Sequence, residues 1–114
     1  MKSETFEITK KQDEKQGVVR YTVVGRVNSK TSPMLHKELE GALSRGEINI
    51  ALDMNQVEYL SSDGIRIILK IYKEAGKAGG KFVIEQPSEI VKNVLGMVAL
   101  DGMLHNGQNF SAQL

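Results

Sequence analysis

Apolar and polar positions alternate twice near the start of the chain. Phe6 and Ile8 alternate with polar neighbours, and Val19, Tyr21 and Val23 do the same. This period of two predicts strands over Phe6 to Lys11 and Val18 to Val24. The polar run from Gln12 to Gly17 between them predicts a hairpin. Gly25 is expected to close the second strand, and Asn28 to Ser32 to form a polar loop. Ser32-Pro33 then opens a helix. Serine caps well, and proline suits the first helical position because its missing N–H costs nothing there. Leu35, Leu39, Ala42 and Leu43 share one helix face, and Gly46 stops the helix.

Ile48 to Met54 is a short apolar run suited to an inner strand covered on both faces. A loop through Asn55 and Gln56 is expected to lead to a Ser61-Ser62 turn. The clearest helix follows, from about Asp63 to Ala78, and Gly79-Gly80 ends it. Lys81 to Glu85 reads as another strand. Pro87-Ser88 opens a third helix, with Ile90, Val91, Val94 and Leu95 inward. The Gly- and Asn-rich tail from Asp101 offers Met103, Leu104 and Phe110 as anchors, with a last short strand around Met103 to His105. Strands alternating with helices favour parallel pairing through right-handed crossovers. The expected fold is therefore a single α/β domain: a mixed, mostly parallel sheet, an N-terminal hairpin and about three helices. One sheet face is expected to be better covered than the other.

On a wheel at about 100° per residue, Ile65, Ile68, Leu69, Tyr72 and Ala75 cluster and are expected to face the sheet. Arg66, Lys70, Lys73 and Lys77 form a basic stripe that reads as a solvated face. Ile67 falls outside both groups. It is either partly covered by a neighbouring loop or an apolar spot for a partner or a second copy.

The length of 114 residues suits one domain. Hydrophobic residues at 40% and charged residues at 25% are ordinary for a globular protein. Fifteen Lys and Arg against 14 Asp and Glu, without a block of like charge, argue against nucleic acid as the main partner. No cysteine is present, which excludes disulfides and thiolate metal sites. The N-terminus shows no secretory h-region, and no stretch approaches the roughly 18 apolar residues that span a bilayer. These features fit a cytoplasmic protein.

The serine turn carries the candidate chemistry. An apolar strand pattern ends at Leu60, two hydroxyls follow, and an amphipathic helix starts at once. The first N–H groups of a helix lack internal acceptors and favour an anion. A cap is the plain structural role for Ser61 or Ser62, and Asp63 suits the dipole of the first turn. Gly64, unfavourable by ~1 kcal/mol inside a helix, predicts a close backbone approach or a bend. A phosphate on either hydroxyl would add roughly −1.5 to −2 charge at pH 7. The free helix end tolerates that charge, whereas a partner packed on the turn does not. No histidine lies at a motif spacing from Ser62, so a hydrolase nucleophile is not expected. The turn reads as a protein-binding switch rather than a catalytic centre, with no cofactor.

These residues resemble the STAS domain family, named for sulfate transporters and anti-sigma factor antagonists. The resemblance covers nearly the whole chain and implies one domain over residues 1–114. It runs through the early hairpin, Gly25-Arg26-Val27-Asn28, Ile48 to Asp53, Val57 to Leu69, Gly80 to Ile84 and the last helix. The family's turn is Asp-Ser-Ser-Gly-Leu; the same register here gives Ser61-Ser62-Asp63-Gly64-Ile65. The length resembles a stand-alone bacterial antagonist rather than a transporter tail. The resemblance implies that an anti-sigma factor serine kinase phosphorylates Ser62, with Ser61 as the fallback acceptor. It implies that the unmodified form docks that kinase and that a PP2C-type phosphatase restores this form. The implied docking surface takes in Asn28, Ser61, Ser62, Asp63, Gly64, Ile65 and Ile67, on a monomer or weak homodimer. Asn28 stands where the family often has Asp. Ser61 and Asp63 both depart from the family turn, and the fixed charge of Asp63 supports an alternative: a constitutive scaffold subunit of a signalling or lipid-transport complex, without a phosphate cycle.

Other constellations carry less. Asp53, Glu58 and Asp63 approach one sheet edge and could in principle hold Mg²⁺, yet carboxylates at strand ends are also frequent without metal. The sequence nominates no metal site. His36 reads as an exposed helix residue, far in sequence from His105. Gly76 to Gly80 has glycines but no phosphate-cradling spacing, which leaves a nucleotide site at the serine turn as the weakest reading. Met34, Met54, Met97 and Met103 are expected to fill the core.

Overall fold

Strand order follows chain order. In the computed structural model, which describes residues 6–13, 17–97 and 104–105, the elements are β1 (Phe6–Asp13), β2 (Val18–Val27), α1 (Ser32–Ser44), β3 (Asn49–Leu60), α2 (Ser62–Lys77), β4 (Lys81–Glu85), α3 (Glu89–Met97) and β5 (Leu104–His105). They form one sheet in the order β1-β2-β3-β4-β5. The β1–β2 pair is antiparallel and the other pairings are parallel. The expected mixed sheet with an N-terminal hairpin and three helices is the one observed. Met103 and Phe110 of the expected tail lie outside the described residues.

Right-handed crossovers through a monotonic strand order place all three helices on the same face. Accordingly Leu35, Leu39 and Ala42 of α1, Ile68, Ile71 and Ala75 of α2, and Val91 and Leu95 of α3 join one cluster. They pack there on Val19, Tyr21, Val23, Ile50, Leu52, Phe82 and Ile84 of the sheet. The opposite parity carries a small second cluster, Val18, Ala51 and Val83. It also carries a two-pronged ion pair in which Arg20 donates to Glu85 at 3.0 and 3.3 Å.

The strands run further than their patterns predicted. Gly25 does not close β2, which continues to Val27 with Gly25 at φ 105°. The loop expected at Asn55 and Gln56 is absent, because β3 runs unbroken from Asn49 to Leu60. Two register shifts explain the misreading. Asp53 to Gln56 of β3 spans only Thr22 to Val24 of β2, and Val57 to Tyr59 spans only Gly25 to Arg26. Each extra residue is a bulge that resets which face the chain presents. From Met54 the buried positions are therefore Met54, Val57 and Leu60, with two exposed residues between each. A period of three in a strand does not read as a strand.

Helix boundaries hold with local corrections. The residue before α1 is Thr31 rather than Ser32, and Ser32 is buried inside the first turn. The inward stripe of α2 is Gly64, Ile68, Ile71 and Ala75. Tyr72, expected inward, is 43% exposed, with its ring edge-on to Phe82. The face is centred one residue earlier than the apolar pattern suggests, because its first member is a glycine. On α3, Val91 and Leu95 are buried and Val94 is partly so, but Ile90 is exposed. Of the methionines, Met54 is buried and Met34 is 52% exposed. His36 is half-buried, its Nε2 3.1 Å from Glu40, rather than free on the surface.

One further polar group sits within the core. The Tyr21 hydroxyl is buried without a well-formed hydrogen bond, with the Arg45 side chain near it. Near it Glu47 receives hydrogen bonds from Lys10 at 3.1 Å and Arg45 at 3.3 Å. Burial pushes the Tyr21 phenol up, partly offset by the Arg45 charge.

Candidate functional site

The parallel strands β2 and β3 end side by side, with Val27 and Leu60 as their last matched pair. The Ser61 amide donates to the Val27 carbonyl at 2.9 Å, so the ladder extends one residue into the turn. Ser61 itself is extended (φ −83°, ψ 170°) and caps α2. Its Oγ accepts from the Gly64 N–H at 3.2 Å, and its carbonyl accepts from the Ile65 N–H at 3.0 Å. One orphan donor of the first turn is thereby satisfied.

Ser62 is the first residue of α2 and is exposed. Its hydroxyl makes no hydrogen bond among the described residues. The two serines thus divide the work: the first holds the helix start and the second faces outward with its hydroxyl unengaged.

Asp63 follows in the first turn, and its Oδ1 lies 2.9 Å from the Arg66 guanidinium one turn on. The carboxylate is partly exposed and the guanidinium mostly so, at 37% and 70%.

Gly64 is buried. A Cβ there would lie 2.7 Å from both Leu60 Cδ1 and Val27 Cγ1. The close approach that this glycine predicts is therefore internal: it seats α2 on the ends of β2 and β3. Ile65 and Ile67 are half-buried and pack against the main core. Ile67 is not the freely exposed apolar spot considered from the wheel, and what it offers a second copy is only its outer edge.

Asn28 lies one residue beyond Val27, beside the turn. Its Oδ1 accepts from the Lys30 and Thr31 amides at 2.9 and 3.1 Å, and the Thr31 hydroxyl donates to the Arg26 carbonyl at 2.6 Å. Its carboxamide oxygen is spent on shaping the loop into α1. Asn28 and the turn from Ser61 to Ile65 share one sheet edge, and Ile67 lies along the helix from it.

Asp53 does not join this edge as a ligand. Its Oδ1 accepts from the Asn55 N–H at 3.0 Å within the first bulge. Glu58 is exposed on β3. No group of three or more His, Asp or Glu side chains placed to hold a metal forms among the described residues.

The sequence does not reveal two neighbours of the turn. Arg26 stacks on the Tyr59 ring with its guanidinium carbon 4.5 Å from the centroid. They are cross-strand partners just before Val27 and Leu60, and Tyr59 stays 39% exposed. Their pairing depends on the two bulges, so spacing alone could not find it. Met34 is the second, exposed in the first turn of α1, which starts at the same edge. The hollow described by Tyr72, Lys73, Gly76, Gly80, Lys81, Phe82 and Val83, of about 340 Å³, is at the other end of α2. No described helix is long and apolar enough to cross a membrane.

Known proteins share this fold. BtrV of Bordetella bronchiseptica, named as a candidate anti-sigma factor antagonist, is 29% identical over 82 residues, 72% of this chain and 71% of BtrV. An anti-sigma factor antagonist from Mycobacterium paratuberculosis has a TM-score of 0.79 at 20% identity, covering 93% of this chain and 88% of that one. The anti-sigma factor antagonist SpoIIAA in its unphosphorylated form gives 0.77 at 15% identity, covering 96% and 93%. The phosphorylated form of SpoIIAA, from Bacillus, gives 0.71 at 14% identity, covering 96% of each chain. At such identities the solved structures establish a common fold. The family model for the STAS domain matches residues 9–112, through both strands and the helix that build the turn, and the chain belongs to the STAS domain family.

Proposed function

We propose that this chain is an anti-sigma factor antagonist whose docking is controlled by phosphorylation of Ser62. The observation that carries this reading is the division between the two serines: Ser61 caps α2 while Ser62 is exposed with a free hydroxyl. Modification of Ser62 removes no hydrogen bond that the fold uses. SpoIIAA, solved in unphosphorylated and phosphorylated forms, shares the fold.

In this reading the unmodified chain, one domain over residues 1–114, docks an anti-sigma factor serine kinase in the cytoplasm. The contact takes in Asn28, Ser61, Ser62, Asp63 and the outer edges of Ile65 and Ile67, while Gly64, expected in it, is buried and seats the helix beneath them. The kinase transfers a phosphoryl group to Ser62, and the added charge opposes docking, since a desolvated dianion without a facing cation is strongly unfavourable. A PP2C-type phosphatase returns the docking form. The chain binds rather than catalyses, as a monomer or weak homodimer, and requires no cofactor.

The test is to incubate the protein with its cognate kinase and ATP, and to map the product by mass spectrometry. Phosphate on Ser62 is the expected result. Absence of label on both serines removes the switch and leaves the docking.

Asp63 favours a second reading, a constitutive scaffold subunit, because a carboxylate already stands beside the acceptor. Intact mass of the protein purified from its own cells separates the two: a phosphorylated population belongs to the switch alone.

A further inference from the structure

Ser62 and Arg66 are four residues apart on α2, so their side chains lie over the same stretch of helix surface. Arg66 is held 2.9 Å from Asp63, three residues before it. Asp63 holds the guanidinium, and Ser62 stands at the adjacent position of the same first turn, four residues before Arg66. The pair is solvent-exposed on the arginine side, and such pairs hold their partners weakly. A phosphoserine dianion offers more charge and three acceptor oxygens in a geometry that matches the guanidinium fork. Placed beside Asp63 with no cation in reach, the same dianion meets a like charge.

We infer that Arg66 is the counter-cation of a phosphate on Ser62, exchanging or sharing its contact with Asp63 when the phosphate arrives. This rests on Ser62 being the acceptor, as proposed above. Arg66 would hold the phosphate against the helix in a defined direction and offset the repulsion from Asp63. It is a positioning residue; the charge that opposes the partner is the phosphate. The arrangement also gives Asp63 a role in the unmodified chain, where it keeps Arg66 at the first turn.

Charged side chains of neighbouring elements are Arg26, stacked on Tyr59, Lys30 in the loop before α1, and Glu58 on β3. Lys70, one turn further along α2, lies 3.8 Å from Glu40 of α1. It serves as a control cation on the same basic stripe.

The test uses full-length protein with phosphoserine installed at position 62 by genetic code expansion, so that no kinase is needed. Phosphorus NMR then follows the second ionisation of the phosphate. Arg66→Gln is expected to raise that pKa by about half a unit, roughly a threefold change in proton affinity, because the dianion loses its cation and keeps Asp63. Arg66→Lys restores part of the shift, Asp63→Asn moves it the opposite way, and Lys70→Gln leaves it in place. An Arg66→Gln titration within about 0.1 unit of the parent, or an equal shift from Lys70→Gln, overturns the inference. Binding of the anti-sigma factor kinase to the two forms is measured in parallel. Equal binding removes Ser62 as the switch, whereas the NMR result alone decides the pairing of Arg66 with the phosphate.

Discussion

The Val27 carbonyl accepts the Ser61 amide at 2.9 Å, one residue after the last matched pair of β2 and β3. This bond makes the serine turn an extension of the sheet rather than a free loop. The position of Ser62 is thus set by two strands and by the cap that Ser61 makes on its own helix. A partner that reads the turn meets a surface already in place, and the ordering cost falls on folding, not on docking.

The two serines should separate cleanly in stability. Ser61→Ala removes the acceptor for the Gly64 N–H and is expected to cost about 1 kcal/mol. Ser62→Ala removes no bond and should stay within about 0.5 kcal/mol of the parent. Urea unfolding followed by circular dichroism checks both, and equal costs would contradict the division of work.

Charge at position 62 should act on binding alone. Ser62→Asp is expected to weaken docking to the anti-sigma factor kinase at least about tenfold, or about 1.4 kcal/mol. The melting temperature should move by less than about 3 °C, since the helix end accepts the charge. Calorimetric titration and a thermal scan on the same samples are sufficient.

Gly64→Ala should be destabilising even though alanine is the better helix former. The new methyl would lie 2.7 Å from Leu60 Cδ1 and Val27 Cγ1, and overpacking of this kind costs about 1 to 3 kcal/mol. Gly76→Ala, on the same helix with nothing within 4 Å of the added Cβ, should be neutral or stabilising by up to about 1 kcal/mol. The contrast in urea midpoint isolates the seat of the helix from helix propensity.

Glu47 makes the stability pH-dependent in a known direction. Burial pushes its carboxyl up, but hydrogen bonds from Arg45 and Lys10 outweigh this and bring it below the usual glutamate value. A carboxyl depressed in the folded state adds stability above the unfolded pKa, and loses it as pH falls through the folded one. Glu47→Gln should therefore cost less than about 1 kcal/mol at pH 7. The difference should close as the pH is taken down through the usual carboxylate range and below it, read from urea midpoints.

Tyr21→Phe should not destabilise. The hydroxyl is buried with no well-formed hydrogen bond, although the Arg45 side chain lies near it, so its removal recovers desolvation cost while the ring stays packed. A gain between zero and about 1 kcal/mol in urea unfolding is expected. A loss above that size would mean that the hydroxyl has a partner in solution.

Much of the fold was legible because most elements keep one period throughout. The β1–β2 hairpin, the α1 face and β4 each present a regular apolar pattern, and glycine or proline marks their ends. What escaped has a common origin in backbone irregularity. The two bulges of β3 turn a period of two into a period of three, so Asn55-Gln56 resembles a loop. The same bulges set the Arg26–Tyr59 contact, which depends on register and not on spacing. On α2 the residue nearest the sheet is Gly64, which a hydrophobicity pattern counts as nothing, and the inferred face rotated toward Tyr72. At the site, the order of hydroxyls was readable, but which serine caps depends on backbone angles. The extended Ser61 takes that role and leaves Ser62 outside it.

Because the cap belongs to Ser61, a lineage could replace Ser62 by almost any small residue and keep the shape of the proposed docking surface. Under the proposed switch, loss of regulation would be a single substitution that leaves folding untouched. Permanently engaged relatives could arise from regulated ones in one step, and return by the same route.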